Sequence, residues 1–298
     1  MRTNALLLLV ISLGWASEYL FILWADQGLP PLTVSVAMLA VAGVGLAAYA
    51  RLVHRRPLLP VLRTRAVDLA VVAAAVVALP EFTVIFAEDS ITPDDAALTG
   101  ATVPMLTLLA TMFVTRQQAF AWLPLLGIAV AIAGLVIFVG PGDQAGTTTL
   151  ALVVREAGLV LFVFGGIYAS LKTQDLDKTL LTAWTMLLGA LLLLVPALLL
   201  ERPDWSDLTL LGAASILGSG LVSLALAYLG YFALIDRAGA SFAALYAFLV
   251  PPLSLLLGVL LREDTMSPGH IGGLVLVLTG LWMIVRGEKR TPAPRRAG

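Results

Sequence analysis

The chain has 298 residues, of which 60% are hydrophobic and only 12% are charged. A soluble domain carries about a quarter charged residues, so this chain has about half the charge needed to cover a water-facing surface. The low charge and high hydrophobicity exclude a disordered chain, and the lack of cysteine excludes a disulfide scaffold. We therefore predict a protein whose surface is solvated by lipid.

Ten apolar runs are long enough to cross a membrane as helices, which takes about 20 residues for a hydrocarbon core about 30 Å thick. Their continuous hydrophobicity indicates helices rather than the alternating strands of a β-barrel. The first run follows Arg2 but stays apolar well past Ser12, so we interpret it as a helix and not as a signal peptide. The runs are 5–25, 32–53, 67–87, 96–114, 121–139, 152–171, 180–200, 208–235, 241–261 and 269–285.

The basic residues are unevenly distributed between the two sets of loops. If the N-terminus is cytoplasmic, all of the 18 Lys and Arg residues except Arg155, Arg202 and Arg262 lie on the cytoplasmic side. This asymmetry is what the positive-inside rule expects of a membrane protein. We therefore predict an inner-membrane protein with both termini cytoplasmic, which requires an even number of spans.

Two parts of the chain carry the same order of proline and paired glycines. The corresponding residues are Pro104 and Pro251, Gly127 and Gly273, and Gly134 and Gly280. Because each half holds five spans, an odd number, the second half enters the membrane from the opposite side. The pattern predicts two inverted five-helix repeats, residues 1–140 and 150–286, with a disordered cytoplasmic tail at 287–298. Repeats of this kind produce alternating access.

Several local motifs point to one family. They are Leu13-Gly14-Trp15-Ala16-Ser17, Leu29-Pro30-Pro31-Leu32, and the tract 227–263 with Tyr228-Leu229-Gly230-Tyr231-Phe232-Ala233-Leu234 and Arg262-Glu263. With the ten spans, they resemble the EamA-type proteins of the drug/metabolite transporter superfamily. The sequence departs from the family pattern after the fourth span. An acidic residue that corresponds to Glu263 is expected there, but the chain has Arg116 and Gln117. The resemblance implies a transporter of small organic solutes, and the branch that exports aromatic and neutral amino acids is the most similar.

Two ionisable residues lie well inside the predicted spans, Glu18 in the first and Glu81 in the third. Each costs at least about 2.5 kcal/mol at the bilayer centre, so each needs a reason to be there. Both fall about 5–6 Å outside the midplane at matching depth. We predict that they line the solute path, binding a substrate ammonium group or sharing a coupling proton. The alternative is a protonated Glu that bonds a neighbouring helix as part of the packing.

Aromatic and proline residues complete the predicted site. Trp15 lies three residues before Glu18 and therefore on the same helix face, where a ring beside a carboxyl group suits an amino acid or a small amine. For the tyrosines of spans eight and nine, a role in the interfacial belt or in packing is the alternative to lining the cavity. The other predicted substrate-binding residues are Phe82, Phe164, Tyr168, Tyr228, Tyr231 and Tyr246. The predicted helix-kink and gating residues are Pro80, Pro104 and Pro251.

Few residues support an enzyme. His54 and His270 are the only histidines and both lie at span edges, which leaves little for zinc ligation or general-base catalysis. Gly140-Pro141-Gly142-Asp143 matches a string found in membrane aspartyl proteases, but no second Asp lies well inside a span. We predict no enzymatic activity, no cofactor, no metal and no nucleic-acid partner.

The combined prediction is an all-α membrane protein that exports small organic metabolites through a central cavity by alternating access. Amino acids, aromatic and other neutral ones, are the predicted substrates, and the protein works in the lipid bilayer as a monomer or homodimer. The alternative is proton-coupled efflux of drug-like amines or nucleobase-type metabolites. A channel or scaffold is the third interpretation.

Overall fold

The computed structural model describes residues 2–25, 29–115, 120–140, 147–262 and 266–290, and this part of the chain contains helices and short loops but no strand. Nine helices in it, α2 to α10, are long and apolar enough to cross a membrane, and α1 adds a shorter apolar stretch, Thr3–Glu18. The prediction of an all-α membrane protein is therefore confirmed. The helices are α1 Arg2–Ala25, α2 Pro31–Leu52, α3 Leu58–Glu88, α4 Asp95–Val114, α5 Trp122–Val139, α6 Thr149–Lys172, α7 Lys178–Leu200, α8 Leu210–Ala238, α9 Ala240–Leu261 and α10 Pro268–Arg290.

Two helices extend beyond their apolar runs. Residues 58–66, predicted as a connection, form the first turns of α3, and Arg65 has a non-helical backbone (φ −129°, ψ 23°) at which the helix bends. Hydropathy missed these turns because two arginines dilute the apolar signal, whereas helical hydrogen bonds do not depend on side-chain polarity. Helix α10 continues to Arg290, into the stretch predicted as a tail, and residues 291–298 lie outside the described residues.

Three spans contain π-helical segments, Ala73–Ala78 in α3, Ala110–Val114 in α4 and Ser219–Leu226 in α8. Such segments bulge the helix and often occur at functional sites. Two spans also break near their start, α4 at Ala101 and α9 at Leu245. The regular α-helix is therefore interrupted in α3, α4, α8 and α9.

Two of the three predicted kink prolines accompany these interruptions. Pro80 follows the π-helical segment of α3 by two residues, and Pro104 follows the break at Ala101 by three. Pro251 instead lies inside a continuous stretch of α9, next to Pro252. The gating role of these prolines stays a prediction.

Glycines bring α5 and α10 into backbone contact. A Cβ atom built on Gly280 would lie 2.4 Å from the carbonyl oxygen of Gly127, and one on Gly273 would lie 2.5 Å from the backbone nitrogen of Phe138. Small residues allow helices in a membrane to approach closely in this way. The glycines that the sequence singled out as repeated therefore form one interface.

The helix contacts have a paired pattern. Helix α2 packs on α7, α3 on α6, and α1 on α8. If the halves are related, α1 to α5 correspond to α6 to α10. Exchanging each helix for its counterpart turns the α3–α6 contact into the α8–α1 contact. This is the pattern that two related halves would produce, and the inverted relation of the halves stays a prediction.

Helix α2 is capped by a residue far along the chain. Glu201, which follows α7, accepts hydrogen bonds from the backbone N–H groups of Leu32 (2.8 Å) and Thr33 (2.7 Å) and from the Thr33 hydroxyl (2.7 Å). The preceding residue, Pro30, offers no side-chain cap. A carboxylate at this position satisfies the free N–H groups and the positive end of the helix dipole.

The glycine contact gives a first prediction. Gly280→Ala should lower the free energy of unfolding by about 1–3 kcal/mol, because the new methyl group collides with the backbone of α5. The matched control is Gly272→Ala on the same helix, where a Cβ atom meets nothing within 4 Å. SDS titration of the detergent-solubilised protein, followed by circular dichroism, compares the two. Equal stability of both variants would contradict the proposed contact.

The cap gives a second prediction. Glu201→Gln should cost about 1–3 kcal/mol of stability, because it removes the charge that accepts three hydrogen bonds. The control is Asp207→Asn, which changes an exposed acid between α7 and α8. It should change the free energy of unfolding by less than about 0.5 kcal/mol. The same unfolding titration measures both, and a wild-type value for Glu201→Gln would disprove the cap's contribution.

Candidate functional site

Four of the predicted aromatic residues come together in one group, named here the aromatic cluster: Trp15, Tyr228, Tyr231 and Tyr246. The Trp15 ring lies 4.0 Å from the ring of Tyr246, centroid to centroid, at an angle of 49°. It is 5.2 Å from the Tyr228 ring and 5.7 Å from the Tyr231 ring, both in edge-on arrangements. Edge-on pairs at these distances are favourable. The cluster joins α1 to α8 and α9.

Helix α6 adds a residue to the cluster that the sequence did not indicate. The ring of Phe162 lies 5.4 Å from that of Tyr231 and 6.1 Å from that of Tyr246. Four residues later, a Cβ atom on Gly166 would lie 2.6 Å from the Tyr231 hydroxyl oxygen. Residues four apart share a helix face, so Phe162 and Gly166 present one surface to the tyrosine. The sequence signal for this surface was a phenylalanine followed four residues later by a glycine.

Tyr228 links the cluster to the distorted part of α3. Pro80 lacks the N–H group that would normally bond the carbonyl of Val76, four residues earlier. The Tyr228 hydroxyl donates a long hydrogen bond of 3.4 Å to that carbonyl. Val76 lies in one π-helical segment, and Tyr228 lies two residues after the end of another. The two distorted spans therefore meet at the aromatic cluster.

The two glutamates, named here the acid pair, lie beside the cluster. Glu81 accepts a 2.7 Å hydrogen bond from the hydroxyl of Ser35 in α2, a partner that the sequence did not indicate. Glu18 and Glu81 are close enough to interact electrostatically, and Tyr228 interacts with both. Both glutamate side chains are only partly buried. The structure thus brings together the two ionisable residues that the sequence placed at one depth.

A cation borders the acid pair. Arg155, counted in the sequence among the loop bases of one side, lies inside α6 in its second turn, because the helix begins at Thr149. Its Nε donates to the Thr99 hydroxyl at 2.8 Å and its Nη2 to the carbonyl of Ala96 at 3.1 Å. Arg155 also interacts electrostatically with Glu81. The predicted run 152–171 already includes Arg155, and the structure confirms that this residue lies inside the span and not in a loop.

The remaining predicted aromatics lie elsewhere. Phe82 stacks on Phe86 of its own helix, with 6.4 Å between ring centroids. Phe164 and Tyr168 lie 6.0 Å apart and line an apolar groove of about 400 Å³ between α4 and α6, together with Leu106. Their role in binding a substrate stays a prediction.

Tyr168 belongs to a polar network at the end of the bundle that holds residues 173–177, named here the basic end. Its hydroxyl donates to Asp68 at 2.7 Å, and Asp68 also accepts from Arg65 at 3.0 Å. Arg65 donates to Asp175 as well, and this hydrogen bond lowers the pKa of the Asp175 carboxyl group. The network connects α3, α6 and the loop between α6 and α7.

A second ion pair lies at the basic end. The Lys178 amine is 3.5 Å from a carboxylate oxygen of Asp236, which joins the start of α7 to the end of α8. Arg237 of the same helix donates to Asn4 of α1 at 3.3 Å. Polar contacts therefore hold at least five helices together at this end.

The second half of the chain matches a family model. Residues 156–286 match the EamA-like transporter family. The chain is 26% identical over 286 residues to the uncharacterized inner membrane transporter YedA of Escherichia coli strain K12, a similarity that covers 94% of this chain and 89% of that protein. An uncharacterized transporter of Archaeoglobus fulgidus is 28% identical over 196 residues, or 64% of this chain and 67% of that protein.

A solved crystal structure of a protein has the same fold. Its TM-score is 0.79 at 18% sequence identity, and the alignment covers 97% of this chain and 99% of that one. At this identity the likeness shows the fold alone. The chain is thus similar to EamA-like transporters over its second half and to transporters of two organisms over most of its length, and these similarities, with the nine apolar helices of the described residues, support a multi-pass membrane transporter.

Proposed function

We propose that this protein exports small organic metabolites, chiefly aromatic and other neutral amino acids, by alternating access of two inverted five-helix repeats. The observation that carries the proposal is the aromatic cluster beside the acid pair. Residues of both halves form this site, Trp15 and Glu81 from the first half and Tyr246 from the second. A site shared between halves changes its access when the halves move.

The chemistry of the site suits an amino acid. The faces and edges of Trp15 and Tyr246 offer a surface for a planar apolar side chain. A carboxylate of the acid pair binds an ammonium group through a charge-assisted hydrogen bond. The combination of an apolar wall and a fixed polar group is typical of small-molecule sites.

The interrupted helices support movement of two related halves. The π-helical segments Ala73–Ala78 and Ser219–Leu226 occupy the third and eighth spans, and the breaks at Ala101 and Leu245 occupy the fourth and ninth. These spans correspond to each other in the proposed repeat. Broken helices at the repeat interface are where transporters of this architecture bind their substrates.

The basic end supports a reversible closure. The ion pair of Arg65 with Asp175 and that of Lys178 with Asp236 involve partly exposed groups. Exposed pairs contribute about 0–1 kcal/mol each, so a modest binding energy is enough to open them. Contacts of this strength suit a gate that closes and opens in each transport cycle.

The acid pair also favours a second candidate function, proton-coupled efflux of drug-like amines or nucleobase-type metabolites. Two neighbouring carboxyl groups in a low-dielectric site share a proton, and a cationic amine competes with that proton. Both candidates use the same site and differ in the solute and in coupling.

Flux measurements in proteoliposomes test the proposal. Vesicles loaded with labelled L-Phe, D-Phe, Ala or a cationic dye are followed with and without a pH gradient, and protein-free vesicles serve as the control. We expect saturable flux that prefers L-Phe to D-Phe. Dye flux that disappears when the gradient is collapsed would favour the second candidate, and flux that does not saturate would indicate a channel.

Substitutions in the acid pair give a further prediction. Glu18→Gln and Glu81→Gln should each lower L-Phe flux by about 10- to 100-fold, the equivalent of one hydrogen bond to a charged group. They should also change the pH profile, because one titrating carboxyl group is lost. Glu201→Gln is the matched control, since the same change at the α2 cap should leave the pH profile unaltered. Normal flux and an unchanged pH profile in both acid-pair variants would remove the basis for their role.

A further inference from the structure

Arg155 is a positively charged side chain inside a membrane-spanning helix, which makes it costly and in need of explanation. Its hydrogen bonds to Thr99 and Ala96 use two of the five N–H donors of a guanidinium group. No further hydrogen bond from Arg155 is found within the described residues. The side chain therefore keeps donors for a ligand while two bonds fix its position.

Both hydrogen bonds of Arg155 are made to neighbouring residues of one helix. Thr99 and Ala96 lie at the start of α4, and the Thr99 hydroxyl itself donates to the Ala96 carbonyl at 2.9 Å. The guanidinium is therefore held by two groups that are themselves hydrogen-bonded to each other. A guanidinium with restricted motion loses less entropy when it binds a carboxylate, so it is preorganised for that ligand.

The packing of α6 on α3 connects Arg155 to the site. One turn after Arg155, a Cβ atom on Gly158 would lie 3.3 Å from the Cα atom of Pro80, the residue before Glu81 of the acid pair. One cation, two acids and an aromatic surface thus occupy one region of the bundle. Glu81 has a second partner in Ser35, so its position does not depend on Arg155 alone.

We propose that Arg155 binds the carboxylate of a zwitterionic substrate, while the acid pair binds the ammonium group and the aromatic cluster contacts the side chain. This inference rests on the proposed function and identifies the residue that selects amino acids over simple amines. A zwitterion adds no net charge to the site and gives the charges on both sides of it an opposite partner. An amine without a carboxylate leaves Arg155 without a ligand partner, and a carboxylate without an amine leaves the acid pair without one. Such unpaired groups are the physical basis of discrimination.

Binding to the purified wild-type protein in detergent tests this assignment. Labelled L-Phe is displaced by unlabelled L-Phe, by L-phenylalaninamide, which lacks the carboxylate, and by 3-phenylpropanoate, which lacks the ammonium group. We expect L-Phe to bind at least about tenfold more tightly than either analogue, because each analogue loses one charge-assisted contact.

The decisive variant is Arg155→Gln. It should weaken L-Phe binding at least about tenfold and leave the affinity for L-phenylalaninamide unchanged, so that the preference between them disappears. Arg155→Lys keeps the charge but loses the two-pronged geometry, and it should retain part of the preference. This second variant also keeps the test valid if Arg155→Gln does not fold.

Two further variants separate binding from structure. Arg202→Gln makes the same change at an exposed arginine outside the spans and should leave both affinities unaltered. Thr99→Val removes one bond that holds Arg155 but keeps the guanidinium, so it should reduce the preference for L-Phe less than Arg155→Gln does. A purely structural role of Arg155 would instead weaken L-Phe and its amide equally in Arg155→Gln.

The outcomes distinguish the two proposals. If Arg155→Gln keeps the wild-type preference, or loses affinity for all ligands equally, the assignment of Arg155 is overturned. Absence of L-Phe binding by the wild-type protein also overturns it. Saturable L-Phe flux with a preference independent of Arg155 would overturn this inference and leave the proposed function intact. Carboxylate-dependent binding without flux would support Arg155 and overturn transport.

Discussion

Lipid offers no hydrogen bonds, and this constraint decides how the polar side chains inside the bundle are arranged. Glu81 is paired with Ser35, Arg155 with Thr99, and the Tyr228 hydroxyl with a backbone carbonyl. In each case the partner belongs to a different helix. The polar groups therefore do two things at once, since they hold neighbouring spans in register and collect charge in one region between them.

The spans fall into two mechanical classes. Helices α5 and α10 contact each other through glycine backbones, with Gly280 against Gly127, and such a contact leaves little room for change. Helices α3 and α8 are distorted by π-helical segments, and they meet where Tyr228 bonds the carbonyl of Val76. The distorted helices α3 and α8 carry part of the candidate site, whereas the closely packed α5 and α10 contribute none of the residues assigned to it. This separation suits a protein in which one part moves against another.

Electrostatics and aromatic packing restrict the solute together. The acid pair alone would favour any amine, and the aromatic cluster alone would favour any flat apolar molecule. Arg155 adds the one feature that distinguishes an amino acid from both, because a guanidinium presents donors in the geometry of a carboxylate. The proposed specificity thus depends on three groups from different helices, and loss of one changes which class of solute fits.

Much of the fold is readable from the sequence, since the thickness of a bilayer sets the length of an apolar run and lipid excludes charge elsewhere. Hydropathy alone therefore located the spans to within a few residues, except at the start of α3, and it singled out Glu18 and Glu81 as unusual. The contacts between side chains of different spans could not be read from the sequence. Only the tertiary structure bonded Arg155 to the start of α4, added Phe162 to the aromatic cluster and put Tyr168 in a network at the basic end. The physical reason is that hydropathy measures depth along a helix, whereas contact depends on how each helix is rotated about its axis, and packing against other helices sets that rotation.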